Sequence, residues 1–156
     1  MYKHLTNNGI KVSQEIWQTK IPLKTKIFMW YVNRGVLLTT NNLAGRNWNG
    51  HQGCCFCNNN ESIQHLFFDC RLAKFIWRVV FVTLDLSPPR NSEHLFNQWS
   101  SRGGRKYKPF LLTGAAAVIW AIWLQRNDSV FDRKLPKNFL QVLFRGTFWL
   151  RHWAKL

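Results

Sequence analysis

Apolar positions recur at helical spacing along most of this chain, and long alternation of β-branched residues is missing. Ser13 can cap a short turn carrying Glu15, Ile16 and Trp17. Between Pro22 and Gly35, the residues Leu23, Ile27, Trp30, Tyr31 and Arg34 share a face, and Phe28 and Met29 widen its apolar side. Proline suits a helix entry and glycine a helix stop, so one helix is expected there. Thr40 opens a second short helix through Leu43 and Ala44. Leu72, Phe75, Ile76, Val79 and Val80 form a core-facing stripe bordered by Trp77, ended by Ser87-Pro88-Pro89. Ser92 is placed to cap a short helix with Leu95, Phe96 and Trp99. Phe110 to Leu124 is the most apolar run; its fifteen residues fall short of the roughly 20 that span a bilayer, so it predicts a buried helix. Pro136 opens a last amphipathic helix with Phe139, Val142, Leu143 and Leu150. The pattern predicts a mainly α-helical fold of six or seven helices.

The cysteines change the picture. All four fall within seventeen residues, Cys54 to Cys70, and with His65 they give C-x2-C-x7-H-x4-C when Cys54 and Cys57 are paired. Three thiolates and one imidazole suit tetrahedral zinc. Asn58-Asn59-Asn60 can turn the chain back, and Ser62 can cap a helix over residues 63–70. On an ideal helix, positions five apart lie about 140° apart, so His65 and Cys70 share an ion only if the helix frays or bends near Cys70. Cys55 is an alternative to Cys54, and His51 a weaker substitute ligand. Four protein ligands would close the shell and leave no place for an activated water, so the expected site is structural. Glu61 and Asp69 are near enough to orient ligands, though they also read as a helix-start acid and a surface acid.

Charge narrows the partner. Twenty-two Lys and Arg stand against seven Asp and Glu, a net charge of +15, which points to a polyanion. Lys24 and Lys26 sit at the start of the first long helix. Arg102, Arg105, Lys106 and Lys108 surround Tyr107 in a basic Gly/Ser stretch over residues 100–109. Cations there would follow a phosphate backbone, and the tyrosine could stack on an unpaired base. The competing class is a zinc-stabilised protein-interaction scaffold, whose binding would ignore salt. Enzymatic readings are poor: no paired aspartates and no Gly-x-x-x-x-Gly-Lys occur. Cys57 as nucleophile with His65 as base would need both freed from metal. No small-molecule substrate or membrane partner is expected. The polar residues at the start of the chain carry no secretory pattern, and clustered thiols fit a reducing compartment, nucleus or cytoplasm.

Ile16–Trp30, Leu38–Ala44, the Cys54, Cys57, His65 and Cys70 set, and Phe75-Ile76-Trp77 together resemble the plant reverse-transcriptase zinc-binding domain. That family lies downstream of the polymerase in LINE-type non-LTR retrotransposons. Trp120–Phe131, with its tryptophans and Arg126-Asn127, is similar to the segment that often follows the domain. One departure is Arg71, where family members often have proline. The resemblance implies a zinc module that helps hold template RNA or target DNA for a polymerase outside this chain, with that reverse transcriptase as a possible partner. Polar composition at 1–12 is expected to leave a mobile segment, and the Gly/Ser-rich stretch at 100–109 a basic linker, with the zinc-binding domain over 13–99 and a C-terminal helical segment at 110–156.

Overall fold

Helix ends follow local chemistry. The computed structural model describes residues 14–156; the segment 1–12 and the Ser13 cap lie outside the described residues. After a helical turn at 14–18, Pro22 precedes α1 (Leu23–Arg34). Gly35 ends α1 at φ 69°, a left-handed conformation in which a Cβ is strained. The Thr39 side chain accepts from Asn42 N at the start of α2 (Thr40–Ala44). A π turn (His65–Asp69) leads into α3 (Arg71–Leu84), which stops at Asp85 in a left-handed conformation. The cap of α4 (Ser92–Asn97) is Asn91 and not Ser92: Asn91 Oδ1 accepts from His94 N at 2.7 Å. A 3-10 turn (Trp99–Ser101), α5 (Lys108–Phe131) and α6 (Phe139–Trp153) complete the order. Among the described residues there is no strand, and Gly53 and Asn60 form an isolated antiparallel bridge.

One apolar cluster runs from Ile16 to Trp153, with α5 at its centre. That helix is 24 residues long, nine more than the apolar run suggested, and by length and composition alone could cross a bilayer. It buries Leu112, Ala115, Ala116, Ala117, Ile119, Ala121 and Ile122 in the core. The alanines let α6 approach closely: a Cβ on the buried Gly146 would lie 3.5 Å from Ala117 O and 3.7 Å from Ala121 Cβ. Arg145 of α6 pairs with Asp128 of α5 at 2.6 Å.

Two sequence expectations are corrected by packing. In α1 the buried side is Thr25, Phe28, Met29 and Val32, whereas Leu23, Ile27 and Tyr31 are exposed. Apolar residues occupy both sides of α1, so periodicity could not choose between them; Phe28 is drawn inward by Phe67, Trp120 and Trp123, whose rings lie 5.0–6.1 Å away. Trp77 does not border the α3 stripe but is buried within it, donating its Nε1–H to Phe67 O at 2.8 Å. The bond offsets the cost of taking this indole N–H out of water.

Candidate metal centre

Cys54 and Cys57 stand on a tight hairpin. Cys54 N donates to Asn59 O at 2.6 Å and Asn58 N to Cys54 O at 2.9 Å. Asn58 takes φ 62°, a left-handed turn conformation that asparagine tolerates better than most residues. The returning chain then reaches Ser62, whose Oγ accepts from His65 N at 3.0 Å, as the cap reading anticipated.

The next five residues solve the angular problem. Cys70 N donates to His65 O at 2.6 Å, an i to i+5 bond, and Cys70 itself is extended at φ −60°, ψ 146°. Widening one turn to π geometry brings residues five apart onto one side, where an ideal α-helix would separate them. The chain then restarts as α3 without proline after Cys70. Leu66, Phe67 and Phe68 are buried between the ligand positions and anchor the turn in the core.

The four ligand atoms of Cys54, Cys57, His65 and Cys70 all lie within 4.8 Å of one another. Sγ of Cys54 and Sγ of Cys70 are 3.8 Å apart, and those of Cys70 and Cys57 3.9 Å. Sulfurs at a tetrahedral angle on one zinc, with Zn–S of about 2.3 Å, are separated by about 3.8 Å, so the donor set fits. His65 Nε2 is 3.0 Å from Cys57 Sγ, a hydrogen-bond distance that must open slightly around a shared ion. Phe56 N and Asn59 Nδ2 approach Cys54 and Cys57 Sγ at 3.5 Å, as donors that favour thiolate. The adjoining Cys55 and Cys70 thiols hold Cys54 well below the usual thiol range, while the same contact and burial push Cys70 up. A cation is what would let all three sulfurs ionise together.

Cys55 and His51 are outside this group. Cys55 sits one residue from the ligand yet is pushed up, first by its contact with Cys54, then by burial.

Glu61, a candidate for orienting the ligands, has a partner that its place in the sequence does not disclose. It is fully buried, and Arg126 grips it from 65 residues away, Nη2 to Oε1 at 2.7 Å and Nε to Oε2 at 3.0 Å. Thr40 N donates to the same Oε1 at 2.8 Å, and Asn41 N to Glu61 O at 3.1 Å. The cysteine hairpin is thereby tied to α2 and α5. Arg126 also lies over Trp123, 4.9 Å from the ring centroid, and donates to Asn127 Oδ1 at 3.1 Å. Asp69 remains a surface acid, hydrogen-bonded by Gln64 at 3.3 Å.

The expected phosphate-binding residues differ in what they touch. Lys26 donates to Trp17 O at 2.8 Å, Arg102 to Ser87 Oγ at 2.6 Å, and Lys108 pairs with Glu15 at 2.8 Å. Lys24 lies 5.8 Å from the Trp120 ring centroid and 5.6 Å from that of Trp149. Arg105, Lys106 and Tyr107 are exposed beside one another, with Lys106 Nζ 5.8 Å from the Tyr107 ring.

A helical fold that gathers a Cys3His cluster compatible with zinc narrows the class of protein, and comparison narrows it further. Residues 1–77 match the family described as zinc-binding in reverse transcriptase. The chain is also 27% identical over 127 residues to an Arabidopsis thaliana protein provisionally named a ribonuclease H protein, covering 74% of this chain. It spans 19% of that relative's length. No solved structure matches the chain.

Proposed function

We propose that the chain is a zinc-binding, non-catalytic nucleic-acid-binding module of retrotransposon origin. The observation that carries the zinc reading is the sulfur spacing of 3.8 and 3.9 Å between Cys54, Cys70 and Cys57, beside His65. Cys54, Cys57, His65 and Cys70 would hold the ion, which when bound supplies folding energy by closing hairpin and π turn on one another. With four protein donors it leaves no open position for a substrate.

Nucleic acid is the partner favoured by the net charge of +15, with Lys24, Lys26, Arg102, Arg105, Lys106 and Lys108 as phosphate contacts and Tyr107 as a stacking ring. The parent element's reverse transcriptase is a further partner, and the setting is intracellular, nucleus or cytoplasm. A ribonuclease H reaction is not assigned to this segment. Such two-metal chemistry needs clustered carboxylates, whereas Glu15, Glu61 and Asp128 are engaged by Lys108, Arg126 and Arg145.

The test is a titration of the zinc-loaded full chain with a fluorescent single-stranded RNA across a salt series. Phosphate contacts release counterions, so log affinity should fall linearly with log salt. Binding of a protein partner with no salt-dependent RNA affinity would instead support the scaffold reading.

A further inference from the structure

The exposed side of α1 is not a bare surface. It borders a groove of about 450 Å³ whose wall includes Phe28, Trp120 and Trp123, with Tyr31 at its edge and Lys24 and Arg46 as its cations. That volume falls within the roughly 300–1,000 Å³ of small-ligand sites. No acidic residue lines it among the described residues. Tyr31 is 42% exposed, and its ring is supported by Trp30 at 5.5 Å.

The two cations come from different parts of the chain. Lys24 is in the first turn of α1, and Tyr31 lies seven residues on, about 10 Å along the axis. Asn42 Nδ2 donates to Gly35 O at 3.1 Å and Leu37 O at 2.6 Å, fastening α2 at the C-terminal end of α1. Arg46 comes just after Gly45, the residue that ends α2, and lines the groove. An aromatic groove lined by two cations, with Lys24 Nζ 5.8 Å from the Trp120 ring, matches an unpaired base and its backbone phosphates.

We infer that this α1–α5 groove is a single-strand site, taking an unstacked base against Tyr31 and the tryptophan wall, with Lys24 and Arg46 on the adjoining phosphates. This rests on the nucleic-acid reading but adds a site that neither the cysteine cluster nor the basic 102–108 stretch supplies.

The test compares the zinc-loaded full chain with Tyr31→Ala, Lys24→Glu/Arg46→Glu and Arg105→Glu/Lys106→Glu. Anisotropy is read on a single-stranded RNA and on a duplex of equal length, with helical signal and zinc content as folding controls. Losing a base stack should weaken single-strand binding of Tyr31→Ala by at least about fivefold and leave the duplex nearly unchanged. The groove double variant should lose affinity for the single strand as well. If the parent binds and only Arg105→Glu/Lys106→Glu loses affinity, the groove inference is overturned while the nucleic-acid reading stands. If the parent binds neither RNA, both fall. If the groove variants instead dissociate an RNA-free dimer and bind RNA as the parent does, the groove belongs to a second copy of the chain and the inference is again overturned.

Discussion

Two fastenings hold the same hairpin, and they differ in kind. The Cys54, Cys57, His65 and Cys70 set draws together residues within seventeen positions. The Glu61–Arg126 pair joins that hairpin to α5 across 65 residues. The first is a local clasp that would gain its strength from a bound ion. The second is a buried, multiply hydrogen-bonded charge pair whose desolvation cost offsets much of its attraction. The contrast suggests a division of labour: metal shapes the hairpin and π turn, and the ion pair sets where that unit sits on the helical core.

The largest effect should come from opening the clasp. Cys57→Ser/His65→Ala, or removal of zinc by a chelator, is expected to abolish one bound zinc per chain. Structural zinc in small modules carries about 10–16 kcal/mol of apparent binding energy, more than a typical domain's net stability. A large fall in helical circular dichroism should follow. A variant that kept full helicity without metal would reverse the ranking of the two fastenings.

Breaking the second fastening should cost less. Glu61→Ala or Arg126→Ala leaves an uncompensated buried charge and should destabilise by about 3–5 kcal/mol in denaturant unfolding. Glu61→Leu/Arg126→Met should be milder than either truncation, because no lone charge is left. Equal losses in all three would mean that the pair matters through packing alone. Zinc content should survive these changes wherever the protein remains folded.

Acidity sharpens the comparison in one direction. Cysteine and histidine must lose protons to ligate, so zinc affinity should fall as pH falls, and uptake by the metal-free chain should release protons into a weakly buffered solution. Affinity independent of pH would contradict thiolate ligation.

The smallest effects belong to the neighbours of each fastening. Cys55→Ser should leave one zinc bound, since Cys54 supplies the sulfur that meets Cys70. Asp128→Asn, which frees the half-exposed Arg145, should cost no more than about 1 kcal/mol. Thermal unfolding and zinc titration would check both.

What could be read in the sequence divides along the same line. The ligand spacing, the Ser62 cap and the bend required between His65 and Cys70 are local, and local chemistry decides them. The π turn with Cys70 extended is the form that bend takes. Glu61 and Arg126 each look ordinary where they stand, because nothing in short-range spacing joins residues so far apart. The face of α1 was misjudged for a related reason. Leu23 and Ile27 are as apolar as Met29 and Val32, and only the rings arriving from the π turn and α5 decide which side is buried. Trp77 was placed at a border because its burial depends on a carbonyl of the π turn, Phe67 O.

The most direct measurement is zinc K-edge X-ray absorption on the purified full chain. The account predicts one zinc with three sulfurs at about 2.3 Å and one nitrogen at about 2.0–2.1 Å. A shell containing a water oxygen in place of a sulfur or the imidazole would contradict a closed Cys54, Cys57, His65 and Cys70 site, as would a folded chain that takes up no zinc.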